Sequence, residues 1–309
     1  MEPIKHIKIK KDMKVSELVE AFGDIGFGAS KIGEAGKILE KMLNDSECKV
    51  FLGVAGAMVP GGMKEVILDL LDNVDVFVTT GATLTHDLIE ALGNRHYKLP
   101  EDENFNDEEL NKEGFDRMYN VVMNNEVYKK LEDFFKGNFN VLKNCEDINQ
   151  FLLKIGELIP EDSNSILRKC FDKKIRIFCP GIADSGIGLM MWGRIAEGKE
   201  KPKIGIFNDM NNIIDFSWTS KKTGVIYVGG GVPKNFIQQS LQFSKGADYG
   251  IQITTDRVEP GGSSGAPLKE GISWGKLKSG AKFVDVFCDA TIALPLILSY
   301  IKDKLKSKE

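Results

Sequence analysis

Lys276 closes the segment Glu270-Gly271-Ile272-Ser273-Trp274-Gly275-Lys276, which follows a glycine-rich turn, Gly261-Gly262-Ser263-Ser264-Gly265. An ordinary lysine is a flexible, strongly hydrated cation, but one shielded by an indole can shed its proton near neutral pH and attack a carbonyl or imine carbon. The segment therefore reads as covalent chemistry, an amine nucleophile that forms an imine. Taken alone, Lys276 also fits a solvated lysine in a surface turn, which describes most lysines.

Other chemistries fail on order, spacing or number. Gly261-Gly262-Ser263-Ser264-Gly265 matches the G-x-S-x-G elbow of α/β-hydrolases, but that triad needs a histidine after the serine. His6, His86 and His96 all precede Ser263, so the glycines better suit a tight loop over a ligand. The spacings Gly53-x-x-Gly56 and Gly229-Gly230-Gly231 do not make the G-x-G-x-x-G fingerprint of a standard dinucleotide-binding dehydrogenase. Three histidines in these positions give no zinc pattern. The five cysteines, at 48, 145, 170, 179 and 288, are odd in number and lack C-x-x-C spacing. They read as reduced thiols, with a cytoplasmic setting as the default. No apolar run approaches the roughly 20 residues that span a bilayer, and no signal peptide is read at the N-terminus. A net charge of −4 argues against a nucleic-acid scaffold, and the basic runs 5–14 and 302–308 read as solvated ends.

The elements that must position Lys276 follow from periodicity. Short β-branched or aromatic runs alternate with amphipathic stretches, the pattern of parallel strands joined by crossover helices. Strands are predicted at 49–54, 74–79, 174–179, 203–207, 224–228, 249–254 and 283–288. Several run into glycines or small residues before a helix, and those turns should share one edge of the sheet. In an open α/β fold that edge is the ligand crevice, where helix N-termini can hold phosphates. The fold class expected is α/β, Rossmann-like and doubly wound, with a mostly parallel sheet, flanking helices and a helical insertion. With 309 residues and 42% hydrophobic content, the chain suits a single domain over 1–309. An N-terminal helical segment is placed at 14–45. The charged insertion spans about 93–144 and includes an acidic stretch, 101–113, and a helix predicted over 115–135.

The stretch Gly261 to Pro267, the segment Glu270 to Lys276, and Val284-Asp285-Val286-Phe287-Cys288-Asp289-Ala290-Thr291 together resemble the C-terminal signature of deoxyhypusine synthases. The likeness continues through Gly229-Gly230-Gly231-Val232-Pro233-Lys234, Gly246-Ala247-Asp248-Tyr249, Cys179-Pro180-Gly181-Ile182-Ala183-Asp184-Ser185 and Thr79-Thr80-Gly81-Ala82, and near the N-terminus through Glu20-Ala21-Phe22-Gly23. It covers nearly the whole chain. The resemblance implies a homotetramer and NAD held by strand-end loops rather than by one fingerprint. The positions carried over for NAD are Gly56, Ala57, Met58, Val59, Pro60, Thr80, Gly81, Ala82, Asp184, Gly230, Thr255, Asp256, Asp289 and Ala290. Small residues let a dinucleotide approach the backbone, and Asp184 and Asp289 can accept from ribose or amide groups. Each of these aspartates also fits a helix N-cap.

The reaction implied is aminobutyl transfer from spermidine, through an imine on Lys276, to a lysine of the translation initiation factor 5A precursor. The hydride removed from the donor is returned to the product, so no net oxidation occurs. Glu270 and Trp274 fit as an amine-orienting carboxylate and an apolar wall, with Gly261, Gly262 and Ser263 on the polyamine side. Trp274 equally fits plain core.

The sequence departs from the eukaryotic-type pattern on that polyamine side. Thr85-His86-Asp87 stands where that pattern has consecutive glutamates, and Leu189 where it has an aspartate. Ser263 replaces another acid, and Asn235 replaces a histidine thought to handle protons. With fewer carboxylates, burying a cationic triamine meets a desolvation penalty. Two further readings therefore stand beside the first. One is a related enzyme with agmatine or putrescine as donor, or a free diamine as acceptor, as in homospermidine synthesis; the other is a non-catalytic NAD-binding homologue. His86, with an ordinary pKa near working pH, is the candidate replacement acid/base, against a purely capping role.

Overall fold

The computed structural model describes residues 3–100 and 106–305; residues 101–105 of the acidic stretch and the basic tail beyond residue 305 lie outside the described residues. From the N-terminus, α1 (Val15–Phe22) and α2 (Phe27–Asn44) lead into β1 (Cys48–Val54), α3 (Lys64–Leu71), β2 (Val76–Thr79) and α4 (Gly81–Ala91). Next come β3 (Tyr97–Lys98), α5 (Asp107–Lys112), β4 (Phe115–Met118), β5 (Val121–Asn124) and α6 (Val127–Leu142). They are followed by α7 (Ile148–Leu158), α8 (Ile166–Asp172), β6 (Arg176–Phe178) and α9 (Gly186–Ala196). The last third carries α10 (Ile206–Thr219), β7 (Lys222–Val228), α11 (Gly231–Gln242), β8 (Ala247–Thr254), a 3-10 turn (Leu268–Ile272), β9 (Leu277–Phe287) and α12 (Ala290–Lys304).

Six strands form one sheet in the order β6-β2-β1-β7-β8-β9, with β1, β7, β8 and β9 parallel. Strands covered on both faces read as continuous apolar runs, as Val50, Phe51 and Leu52 on β1 and Val225, Ile226, Tyr227 and Val228 on β7 do, all buried. The two coverings can be told apart by register. Gly224 pairs with Val50 and Tyr227 with Gly53, three residues on, so the two pairs face opposite sides. A Cβ on Gly224 would lie 2.6 Å from Met42 of α2, and one on Gly53 3.2 Å from Ile237 of α11. The fold is thus the expected α/β class, a mostly parallel sheet with helices on both faces.

The chain packs as two compact units, Met1–Ala55 with Asp69–Val78 and Met210–Glu309, and Gly56–Leu68 with Thr79–Asp209. In the first, α1, α2 and α12 pack on one another, and α2 and α12 lie on β8. In the second, α4 packs on α6, α8 and α9, and α7 packs on α8.

Two expectations from periodicity need correction. The stretch 115–135 is not one helix: β4 and β5 pair antiparallel, β3 joins β5, and α6 starts only at Val127. Gly114 and Tyr119 take positive φ (79° and 55°), which the interior of a right-handed helix does not accommodate, and Val121-Val122 prefers a strand. The run 203–207 forms no strand either. Gly205 makes an isolated bridge to Asp147, and α10 begins at Ile206. Ile206 and Phe207 are exposed, so no burial holds them in a sheet; a run this short reads equally as the start of a helix.

All five cysteines are free. Cys48, Cys145, Cys170 and Cys179 are buried, and burial pushes their thiols up, Cys48 and Cys179 to about 12. No helix among the described residues is long and apolar enough to cross a membrane.

Asp209 on α10 gives the fold a pH dependence. Its Oδ1 accepts from Asn149 N at 3.0 Å, while Oδ2 is buried with no hydrogen-bond partner. Burial, with the charge of Asp147 adding to it, outweighs that hydrogen bond and pushes the carboxyl up to about 7 from 3.8. Because the folded-state value is raised, the unfolded chain ionises first. The stability this group contributes is present below about pH 4 and is lost as pH rises through 7, on the order of 4 kcal/mol in all. Asp209→Asn should flatten this loss, so that the variant gains on the wild type between acid and alkaline pH. Urea unfolding of both proteins at several pH values tests it, and a difference independent of pH refutes it.

Candidate active site

In the first unit the carboxyl ends of β1, β7, β8 and β9 form one edge. Backbone hydrogen bonds continue along it: Ala55 N to Val228 O (2.9 Å), Gly229 N to Ile253 O (2.8 Å) and Cys288 N to Thr254 O (3.1 Å). Gly229 and Gly231 have φ of 74° and 60°, a turn that glycine alone adopts without strain, and it carries β7 into α11. At Gly230 between them, a Cβ would fall 2.2 Å from the Cα of Ser264. The loop after β8 therefore lies directly on the start of α11.

A buried lysine fixes that loop. Lys234 of α11 is 1% exposed, and its Nζ donates to Ser263 O and Ala266 O, both at 2.6 Å. Burial pushes its ammonium down to about 8; the charges of Asp285 and Glu270 oppose this, and that of Lys276 adds to it. Asp285 on β9 in turn accepts from Leu268 N through both carboxylate oxygens, at 3.1 and 3.2 Å. Ser263 Oγ donates to Gly231 O at 3.3 Å, and Ser264 donates to Asp256. Both ends of the segment 263–268 are thereby tied to the sheet edge. In the sequence Lys234 stands out only as the last residue of Gly229-Gly230-Gly231-Val232-Pro233-Lys234. Nothing in its spacing announces burial, because lysines on helices are ordinarily solvated.

The 3-10 turn and Gly275, at φ 70°, then bring the chain to Lys276. Its N–H donates to Gly271 O at 2.8 Å and its carbonyl accepts from Ala247 N at 3.1 Å, so its backbone is part of the structure around β8 and β9. The side chain is half-buried, with Nζ 4.8 Å from the centroid of the Trp274 ring. Trp274 is 56% exposed and so is not core. Glu270, Gly261 and Gly262 are exposed, as is Asn235 on α11. Thr255 and Asp256 are exposed just past β8. Asp289 is the N-cap of α12, accepting from Thr291 N (2.7 Å) and Thr291 Oγ1 (2.8 Å), and Ala290 opens that helix.

The second unit holds the remaining candidates at two helix starts. Thr80 caps α4, accepting from Thr83 N, and Ser185 caps α9, accepting from Gly188 N. Asp184, one residue earlier and exposed, is therefore not the cap. The two starts touch closely: a Cβ on Gly81 would lie 2.3 Å from Ser185 Cβ, and one on Gly186 2.6 Å from Thr85 Cγ2. Ala82 lies in the first turn of α4. Gly56 takes φ 79° and its carbonyl accepts from Thr83 Oγ1 at 2.8 Å, which brings the turn 56–60 to α4. In that turn Ala57 and Met58 are half-buried, while Val59 and Pro60 are buried. Further along α4, His86 is 9% exposed, and burial, with the charge of His96 beside it, pushes its imidazolium down to about 4. It is no N-cap, since Thr80 has that role.

This geometry defines a class: an open α/β protein with glycine-rich helix starts along a strand-end edge and a lysine-bearing loop fastened to the same edge. The deoxyhypusine synthase family model matches residues 17–301. The chain is 41% identical over 304 residues to "Probable deoxyhypusine synthase 1" of Archaeoglobus fulgidus, covering 96% of this chain and 97% of that one. It is 40% identical over 310 residues to the protein of the same name from Methanosarcina mazei, covering 99% and 96%. A crystal structure from Entamoeba histolytica that carries the deoxyhypusine synthase name superposes with a TM-score of 0.64, at 21% identity, over 96% of both chains, a likeness of fold. The chain belongs to the deoxyhypusine synthase family, and its relatives imply an enzyme.

Proposed function

We propose that the protein is an NAD-dependent aminobutyl transferase that carries the four-carbon unit of spermidine as an imine on Lys276 and passes it to a lysine of the translation initiation factor 5A precursor. One observation carries the reading. Lys276 is held through its backbone at the end of a fastened loop, with its amine against the exposed face of Trp274. A nucleophile that forms a covalent intermediate needs such a fixed stem and a free end. Glu270, on the same turn, is the candidate carboxylate for an amine end of the donor, and Gly261, Gly262, Ser263 and Asn235 are the candidate polyamine contacts.

The glycine-rich helix starts fit NAD. The ideal Cβ positions of Gly56, Gly231 and Gly261 meet open space, so ligand atoms can reach the backbone there, and first-turn N–H groups favour phosphate oxygens. Gly230, Thr255, Asp256, Asp289, Ala290, residues 56–60, Thr80, Gly81, Ala82 and Asp184 are the candidate cofactor contacts. When bound, NAD would supply a hydride acceptor for the donor carbon and a hydride source for the product. His86 is the proposed proton acceptor. Family membership also supports a homotetramer as a proposal, and the odd number and spacing of the cysteines support a cytoplasmic setting as one.

One finding favours a second reading, with putrescine or agmatine as donor or a free diamine as acceptor. Asp87, the acid that follows His86, is fully buried and accepts from Ser165, Ile166 and Leu167, so it is unavailable to a polyamine. Leu189 is exposed where the family pattern has an aspartate. Intact-protein mass spectrometry after borohydride reduction, with NAD and each amine separately, tests both readings. A four-carbon adduct that requires NAD is expected, and the amine that produces it names the donor. No adduct with any amine, from protein shown to bind NAD, would refute aminobutyl transfer.

A further inference from the structure

Four side chains of the second unit form an unbroken hydrogen-bonded row. Lys64 Nζ donates to Glu90 Oε2 at 2.5 Å, and Glu90 Oε1 meets His96 Nδ1 at 2.8 Å. His96 Nε2 meets His86 Nδ1 at 3.0 Å, with the two rings edge to face at 66°. The side chains of Lys64, Glu90 and His96 are 15%, 14% and 5% exposed. Lys64 and Glu90 also line a polar surface groove with Arg95, Pro160 and Asn164, so one end of the row reaches solvent while the other lies within α4. His86 and Glu90 are four residues apart on one helix face, and His96 returns from the following loop to bridge them.

The row fixes its own proton positions. Burial raises the Glu90 carboxyl, but the bonds from His96 and Lys64 outweigh it and bring it down to about 2. A carboxylate only accepts, so His96 Nδ1 donates to it. A neutral His96 then has its lone pair on Nε2 and accepts from His86 Nδ1–H. The remaining nitrogen of His86, Nε2, carries a lone pair. On a helix the side chain leans toward the N-terminus, which for α4 is the Thr80-Gly81-Ala82 turn.

We infer that Glu90, His96 and His86 form a proton relay in which Glu90 and His96 act as positioning residues, keeping His86 Nε2 as the acceptor. When Nε2 gains a proton, Nδ1 passes its own to His96 Nε2. The added charge rests on His96 beside Glu90, and His86 stays neutral as the Nε2–H tautomer. One proton enters at Nε2, one crosses between the rings, and none is lost. The pair therefore handles protons as a unit, and the charged groups acting on it are Glu90 and, through Glu90, Lys64. The source of the proton, an ammonium of the donor amine, rests on the proposed function; the relay itself is read without turnover.

The test is solid-state 13C,15N NMR of the sedimented full-length protein labelled on histidine. The chain has three histidines and His6 is exposed, so few rings need assignment. At about pH 9, where a histidine is ordinarily neutral, both His86 and His96 should be Nδ1–H tautomers. As pH is lowered, His86 should change to Nε2–H without becoming an imidazolium. An Nε2–H tautomer of His86 at the alkaline end, or a doubly protonated His86, overturns the relay.

Glu90→Gln supplies the second arm. Lys64 donates only, so it takes the amide oxygen and turns the NH2 toward His96 Nδ1. Lys64 still donates, but the two bonds beyond residue 90 reverse, which leaves neutral His86 as the Nε2–H tautomer from the alkaline end onward. Turnover number should fall about 10²–10³-fold, the scale of a lost general base, with KM little changed. Glu90→Asp, still a carboxylate, should keep the Nδ1–H tautomer and recover part of the rate. A His86 that stays Nδ1–H in Glu90→Gln, or unchanged turnover there, overturns the proposal. If Glu90→Gln fails to fold, the wild-type spectra decide. Wild type inactive on every amine would refute the proposed function, a failure separate from that of the relay.

Discussion

Lys276→Ala and Lys276→Arg should both lose at least about 10³-fold in amine-dependent turnover, because neither side chain can form the imine. The pair of variants separates chemistry from packing. Arginine keeps a cation for the Trp274 face, whereas alanine removes a contact of about 0.5–1 kcal/mol at an exposed site. The backbone bonds that hold the position, to Gly271 O and from Ala247 N, belong to neither side chain. Both variants should therefore melt close to the wild type. Steady-state rates and thermal unfolding on the same preparations check this, and an active, well-folded Lys276→Arg protein would end the case for a lysine imine.

The largest loss of stability is expected one residue beyond the candidate base. The Asp87 carboxylate accepts from Ser165 Oγ at 2.7 Å, Ile166 N at 2.9 Å and Leu167 N at 3.0 Å, and so ties α4 to the start of α8. Burial holds this carboxyl above its usual range, and the three donors offset only part of the rise. Asp87→Ala strands three donors in the interior and should cost about 3–5 kcal/mol. Asp87→Asn should cost nearly as much, since its amide NH2 turns a donor toward one set of donors. Urea unfolding with slopes compared across the three proteins is the measurement. A loss under about 1 kcal/mol in Asp87→Ala would show that α8 does not depend on this carboxylate.

The fold was legible where burial and sequence agree. Val50, Phe51 and Leu52, the run 225–228, and Ile251 with Ile253 read as strands covered on both faces, and Gly229, after the second of these runs, reads as a turn. It was illegible where local pattern is ambiguous. Val121-Val122-Met123 lies inside a stretch with helical spacing, and only the turn at Tyr119 settles it as β5. The site divides in the same way. Lys276 and Trp274 are two residues apart in sequence, so their pairing could be foreseen. His96 and Lys234 could not, because each acts through a partner that only the folded chain supplies: His86 for the one, and the carbonyls of Ser263 and Ala266 for the other.

The four buried thiols turn the protein into its own opening gauge. A thiol raised above its usual pKa and shielded from reagent is alkylated only while its surroundings are apart, so pulse labelling followed by peptide mapping times the opening of each site. Cys48 reports on one compact unit, and Cys145, Cys170 and Cys179 on the other. Labelling rates compared with and without NAD would show which unit a bound dinucleotide holds shut, with no engineered probe.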